Sequence, residues 1–285
     1  MPRNTTQVAC DNTSDASFRA WANLIPAILA AAGWVQTTDT GQSDFNALAT
    51  PNAVNQSRGY QIWRTADATG SLNNYYLKIE VGSGGAALRP AIWVTVGWGS
   101  DGAGTITGNA STRIQFPAGG NLATLQDSNL WGNTGALCFS IFTISGTYNI
   151  ALNLERVRNV DGSKKDEIFI WGFGGNPSTS TSLSHVIPIT GVIPTSGLGN
   201  SGQKNITAAM ANYGADIGLS TISPVKGAAQ MEATNIFGAD TTNFSTTQTI
   251  HDLTVLGESR KYILNASNAG WAGGTSYRLL TRFDL

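Results

Sequence analysis

A helical repeat opens this chain, and no comparable repeat follows it. Phe18, Trp21, Ile25, Ile28, Leu29 and Ala32 recur at three- and four-residue spacing, which is the apolar stripe of an amphipathic helix. Ser14 or Asp15 is placed to cap its start, and Gly33 to stop it. Pro26 lies inside the stripe. It lacks an N–H and clashes with the carbonyl four residues back, so it should kink or split the helix. From Trp34 onward the period drops to two. Short β-branched and aromatic runs at 34–38, 60–64, 75–81, 91–96 and 113–116 are bounded by Gly, Pro, Asn or Asp, the pattern of short strands. The helix is expected to cover one face of an antiparallel sheet built from them.

The strongest strand signals come later. Residues 136–145 are nearly all apolar. Residues 148–158 alternate, with Ile150, Leu152, Leu154 and Arg156 on one side. Asp161-Gly162 reads as a hairpin turn, so 148–158 should pair with 167–173. Weaker strands are expected at 184–192, 218–222 and 231–236, and clear ones at 260–264 and 277–283. The expected fold is mainly β, with antiparallel, sandwich-like sheets and one N-terminal α-helix packed on a sheet. The expected organisation is an extended arm over 1–14, a helix-plus-sheet domain over 15–120 and a β-rich domain over 121–285. The last two could equally form one continuous domain.

Composition narrows the function. Charged residues make up 12% of the chain, about half of the usual share of roughly 25%. Aromatic residues are plentiful (8 Trp, 7 Tyr, 10 Phe), which argues against a disordered chain. Few charges beside many small polar groups suits a surface covered by neighbouring proteins, or an extracellular β protein. The net charge is −1 and no Lys/Arg run occurs, so nucleic acid is not expected as the main ligand. The longest apolar stretch, residues 24–35, is shorter than the about 20 residues of a bilayer span. The segment Met1-Pro2-Arg3-Asn4-Thr5-Thr6 lacks the apolar core of a secretory signal. Cys10 and Cys138 are far apart and show no CxxC spacing. They read as two thiols, with a bridge within or between chains as the alternative.

Motifs for chemistry are weak. Gly97-Trp98-Gly99-Ser100-Asp101-Gly102 and Gly197-Leu198-Gly199-Asn200-Ser201-Gly202 both match GxGxxG. A dinucleotide site needs a helix to begin at that loop, and the residues after the first match are poor helix formers. His185 and His251 stand outside any HExxH or HxH pattern, and no GxSxG elbow occurs. The carboxylates Glu80, Glu155, Asp166, Glu167, Glu232, Asp252 and Glu258 are scattered, and are read as solvated strand ends and salt bridges. A glycosidase would need two of them across a sugar cleft. Asp101-Gly102 and Asp161-Gly162-Ser163 lack the spacing of a Ca²⁺ loop and are read as hairpin turns. No catalytic, cofactor-binding or metal-binding residue is assigned. Trp98, Trp131 and Trp271 sit in Gly-rich settings. They are the candidates for interface anchors or glycan-stacking aromatics, against the plainer reading of core-facing tryptophans.

The order of features along the first hundred residues is distinctive. The helix with Trp21 leads to Gly33-Trp34 and then to Thr38-Asp39-Thr40-Gly41-Gln42. Gly59-Tyr60-Gln61-Ile62-Trp63-Arg64, Tyr76-Leu77-Lys78-Ile79-Glu80-Val81-Gly82, the run from Pro90 to Gly97, and Asp101-Gly102-Ala103-Gly104 follow. This series resembles a group of tailed-bacteriophage virion structural proteins. Leu154-Glu155-Arg156, Asp161-Gly162 and Arg260-Lys261-Tyr262 look like later landmarks of the same group. The resemblance covers 18–108 well and the rest loosely. It implies a tail, baseplate, neck/collar or capsid-surface component, made in the host cytoplasm and carried in the virion, with no catalytic residues and no cofactor. Its partners would be other virion proteins and copies of itself, in a homo-oligomer. It also implies that the turn at 40–42 and the Tyr60 strand maintain the fold. The alternatives are a carbohydrate- or receptor-binding tail module that meets a host-surface glycan, and a glycan-degrading virion enzyme.

Overall fold

The computed structural model describes residues 3–4, 12–66, 72–84, 88–116, 126–133, 136–143, 149–158, 163–175, 181–189, 211–212, 218–221, 225–226, 229–230, 236–240, 250–255, 258–264 and 277–282. The fold is mainly β. It has antiparallel sheets and a helical segment near the N-terminus, packed beside a sheet.

A two-residue strand, β1 (Arg3–Asn4), comes first and joins a sheet formed later in the chain. The helical segment follows as two short helices, α1 (Asp15–Ala22) and α2 (Leu24–Ala31). Ser14 starts α1 through a capping box, its hydroxyl accepting from Ser17 N at 3.1 Å while Ser17 Oγ accepts from Ser14 N at 3.1 Å; two otherwise unpaired donors are thereby satisfied. The break falls at Asn23, three residues before Pro26. The carbonyl that the proline ring excludes is that of Ala22, the last residue of α1. The proline then occupies the first turn of α2, where its missing N–H costs no helical bond. The segment ends as the Gly33 motif predicts: Gly33 N donates to Ala30 O and Trp34 N to Leu29 O, with Gly33 at φ +84°. This is a Schellman stop, and it turns Trp34 into the core beside Leu29.

The first sheet has the order β2-β3-β4-β5-β8. Its strands are β2 (Val35–Gln36), β3 (Gln56–Arg64), β4 (Tyr76–Gly84), β5 (Arg89–Gly97) and β8 (Ile114–Phe116). A small hairpin, β6 (Gly99–Ser100) and β7 (Ile106–Thr107), lies between the last two. Trp63 pairs with Leu77, Ile79 with Val94 and Val81 with Ile92. Cross-strand partners share a face, so these residues form one apolar layer, and Phe18, Trp21, Ile25, Ile28 and Leu29 pack in the same core. Trp21 is wholly buried. A side chain of that size contributes about 2–3 kcal/mol by leaving water, so Trp21→Ala would loosen the helical segment.

The second sheet has the order β1-β9-β10-β11-β12-β13. Its later strands are β9 (Gln126–Asn133), β10 (Ala136–Thr143), β11 (Asn149–Arg158), β12 (Lys164–Gly175) and β13 (Thr181–Pro188). The expected pairing of 148–158 with 167–173 is present, with Leu154 opposite Ile170 and Arg156 opposite Ile168. The turn at Asp161-Gly162 lies outside the described residues. Leu152, Leu154, Ile168 and Ile170 are fully buried and belong to the same core as the first sheet. The two sheets therefore share one apolar interior. β9 adds to the sequence reading, which assigns no strand between 116 and 136. Its residues, Gln-Asp-Ser-Asn-Leu-Trp-Gly-Asn, carry little β propensity, so pairing with β10 places it.

A third antiparallel sheet has the order β14-β15-β18-β21-β20-β19. It comprises β14 (Ala211–Asn212), β15 (Gly218–Thr221), β18 (Ile236–Asp240), β19 (Ile250–Val255), β20 (Glu258–Leu264) and β21 (Tyr277–Arg282). A short pair, β16 (Val225–Lys226) with β17 (Ala229–Gln230), lies within this stretch of sequence. The strand expected at 231–236 falls largely outside the described residues, and β18 starts at its last residue.

Candidate functional site

Two polar constellations stand out, one joining the sheets and one closing the end of the first sheet. The first is built on Arg156. Period-two alternation along β11 puts Arg156 on the same face as Leu152 and Leu154, so its guanidinium enters the core. Its side chain is 4% exposed. Nη1 donates to Asp166 Oδ1 at 2.8 Å, and Nη2 donates to the Asn73 carbonyl. Asp166 in turn accepts from Asn73 N at 3.0 Å and from Asn73 Nδ2 at 2.8 Å. The guanidinium carbon lies 5.5 Å from the centre of the Tyr75 ring and 5.6 Å from that of Trp98. Arg156 and Asp166 belong to the second sheet. Asn73, Tyr75 and Trp98 lie at strand ends of the first. The cluster is a clasp between the two.

The clasp corrects one expectation. Glu155 reads from sequence as a solvated strand-end charge, yet it is buried, at 1% exposure, as is the neighbouring Arg156 at 6%. A buried guanidinium is tolerated here because a carboxylate and a carbonyl receive its protons. Tyr75 is fully buried against it. Burial pushes the Tyr75 hydroxyl far above its ordinary range, although the Arg156 charge pulls the other way, so this phenol stays neutral.

The second constellation locks residues 37–43 to the β6–β7 hairpin. Asp39 is 8% exposed. Its carboxylate accepts from Ser100 Oγ at 3.0 Å and from Gly104 N at 3.4 Å. Burial raises the Asp39 carboxyl, but hydrogen bonds from Thr37, Ser100 and Gly104 outweigh it and hold the group below its usual value. Asp101 closes the hairpin tip by accepting from Ala103 N at 2.8 Å and Thr105 N at 2.9 Å. These two backbone bonds hold its carboxyl below the ordinary range. Asp101-Gly102 is thus the turn that was read from sequence, with Gly102 at φ +77°.

Gln42 and Tyr60 complete the lock. The Gln42 amide donates to Thr37 O at 2.7 Å and Asp39 O at 3.1 Å, and its oxygen accepts from Ile62 N at 2.7 Å. One side chain thereby stands in for a missing stretch of strand along the β3 edge. Tyr60 Oη donates to Thr40 O at 2.9 Å. Lys78 Nζ lies 4.0 Å from the Tyr60 ring centre and donates to Gly104 O at 2.8 Å. The ring fits because Gly41 and Gly104 flank its hydroxyl end: a Cβ on either residue would meet the Tyr60 hydroxyl, at 2.7 Å for Gly41 and closer still for Gly104.

The sequence candidates fall as follows. Trp98 is half-buried, edge-on to Tyr75 with ring centres 6.2 Å apart, and packed on the core. Its indole Nε1 is buried without a hydrogen-bond partner among the described residues. Trp131 sits in β9 opposite Arg3 and Cys138. Trp271 and Cys10 lie outside the described residues. His185 is opposite Ile170 in the second sheet, and His251 is opposite Tyr262 in the third. Glu80 forms a two-bond pair with Arg113, at 2.7 and 2.9 Å, over Trp93. The first GxGxxG run leads into the β6–β7 hairpin, where no helix begins; the second lies outside the described residues.

Among the described residues no three His, Cys, Asp or Glu groups gather as metal ligands. No described helix is long and apolar enough to cross a membrane. Sequence reading missed Asn73 and Tyr75 as partners of Arg156. The one available signal was an arginine on the apolar side of an alternating strand. No family model, curated protein or solved structure matches the chain.

Proposed function

We propose that this chain is a non-enzymatic structural component of a tailed-phage virion, working by packing against other virion proteins and copies of itself in the tail, neck/collar, baseplate or capsid surface. One observation carries the reading. The residues on which the resemblance to virion proteins rests hold one another: Asp39 meets Gly104, Gln42 meets Ile62, Tyr60 meets Thr40, and Lys78 meets Gly104. Their polar groups serve to fix a loop, which is the use the resemblance implies for the turn at 40–42 and the Tyr60 strand. Buried polar networks that satisfy themselves rigidify a fold, and a rigid, sparsely charged body suits an assembly part. The Arg156 clasp is used in the same way.

The carbohydrate-binding alternative needs a tryptophan ring free to meet a sugar face, and Trp98 is engaged with Tyr75 and Arg156. The test is a density map of purified phage particles with peptide mass spectrometry of the same sample. The chain should appear in particles, flanked by other virion proteins. Its absence from particles, or an isolated monomer that binds or cleaves glycans, would overturn the proposal.

A further inference from the structure

The N-terminal strand lies along the edge of the second sheet. Arg3 is opposite Trp131 and Asn4 opposite Leu130. β9 has eight residues, so among the described residues the arm covers two of eight edge positions. An open strand edge is a template for another chain. The base of the arm is fixed: Asn12 Nδ2 donates to Gly82 O at 3.3 Å, and Asn12 Oδ1 accepts from Trp21 Nε1 at 3.3 Å. Seven residues, 5–11, join Asn12 to Asn4, and none is Gly or Pro. The reach from Asn12 to Asn4 is at most about 26–29 Å.

We propose that the β9 edge is a docking site for the N-terminal arm of a second copy, so that copies of this chain are joined by exchange of β1. The occupant follows from the structure, because this arm already pairs with this edge. Backbone pairing does not depend on which chain supplies the strand, which is why exchange of an identical element is a low-cost route to assembly. A two-residue strand is a weak hold within one chain. When copies crowd together, the effective concentration of a neighbour's arm approaches that of a chain's own. The inference concerns copies of this chain alone and holds or fails apart from the virion reading.

The test uses purified full-length chain with Cys10→Ser and Cys138→Ser, so that native thiols do not interfere. Arg3→Cys is placed in one preparation and Trp131→Cys in another. The two are mixed at high concentration, incubated and oxidised. Disulfide-linked dimers are expected in the mixture and in neither preparation alone. An unlinked mixture, with a chain that carries both Arg3→Cys and Trp131→Cys closing its disulfide solely within itself, overturns the proposal. Trp131→Cys could weaken the fold, so Asn4→Pro, which deletes a backbone donor, gives an independent reading. Light scattering should show the parent chain self-associating and Asn4→Pro associating about tenfold more weakly or worse. Equal association of the two, or a parent that stays monomeric throughout, overturns the inference.

Discussion

Arg156 Nη1 lies 2.8 Å from Asp166 Oδ1 on the neighbouring strand, and the same guanidinium reaches across to the carbonyl of Asn73, just ahead of β4 of the other sheet. Removing the cation takes the guanidinium donor from the Asn73 carbonyl and the counter-charge from Asp166. Arg156→Ala is expected to cost about 3–5 kcal/mol. Asp166→Asn keeps the shape and two donors' partners in place, and should cost less, about 1–2 kcal/mol. Urea unfolding of the two variants measures the difference. Equal, small losses for both would mean that the clasp does not join the sheets.

The glycines of the hairpin separate backbone strain from steric overlap. Gly102 and Gly104 both have positive φ, +77° and +97°. A Cβ on Gly102 meets nothing within 4 Å, whereas one on Gly104 runs into the Tyr60 hydroxyl. Gly102→Ala should therefore cost about 1 kcal/mol from φ alone. Gly104→Ala adds displacement of Tyr60 and should cost about 3 kcal/mol. Thermal melts of both variants rank them, and a reversed order would contradict the Tyr60 packing described.

Acid should loosen the loop lock. The Asp39 and Asp101 carboxyls are held below their ordinary value when folded. A carboxyl lowered on folding stabilises the protein above its unfolded pKa, about 4 for Asp, and loses that contribution as pH falls through the folded value. The urea midpoint should thus be steady near neutrality and fall below about pH 4. Asp39→Asn should flatten part of that fall. A variant whose acid profile matches the parent would remove Asp39 from the account.

Gln42 offers a local readout. Truncation to Ala leaves the Ile62 N–H facing a gap and frees two carbonyls. The expected cost is about 2 kcal/mol, in line with an unsatisfied buried group. Amide exchange at Ile62 should quicken more than at Ile79 in the sheet interior, and uniform quickening across the first sheet would argue against a local role.

The parts of this fold legible in the sequence are the ones whose cause is local. Ser14, Pro26 and Gly33 mark the helical segment because caps and breaks act within four residues. Even there, the break appears at Asn23, since the proline acts through a carbonyl behind it. Alternation in 148–158 gives both the strand and the side on which Arg156 lies. Its partner could not be read, because Asn73 is 83 residues away and nothing in residues 72–75 announces an acceptor for a guanidinium. β9 was hidden for a related reason: a polar edge strand takes its conformation from its neighbour. The Asp39 lock showed itself as a resemblance in residue order, while its chemistry emerged once residues 39 and 104 were seen side by side.

The Tyr60 ring lies with Lys78 against it and bare backbone at residues 41 and 104 around its hydroxyl. Drift at any of these positions requires compensation at the others, so they should vary together or not at all. A chain descended from the same ancestor would keep the glycine–aromatic–glycine correspondence long after its loops and surface had diverged. That correspondence is a signature of kinship sparse enough to escape comparisons based on overall identity, and specific enough to search for directly.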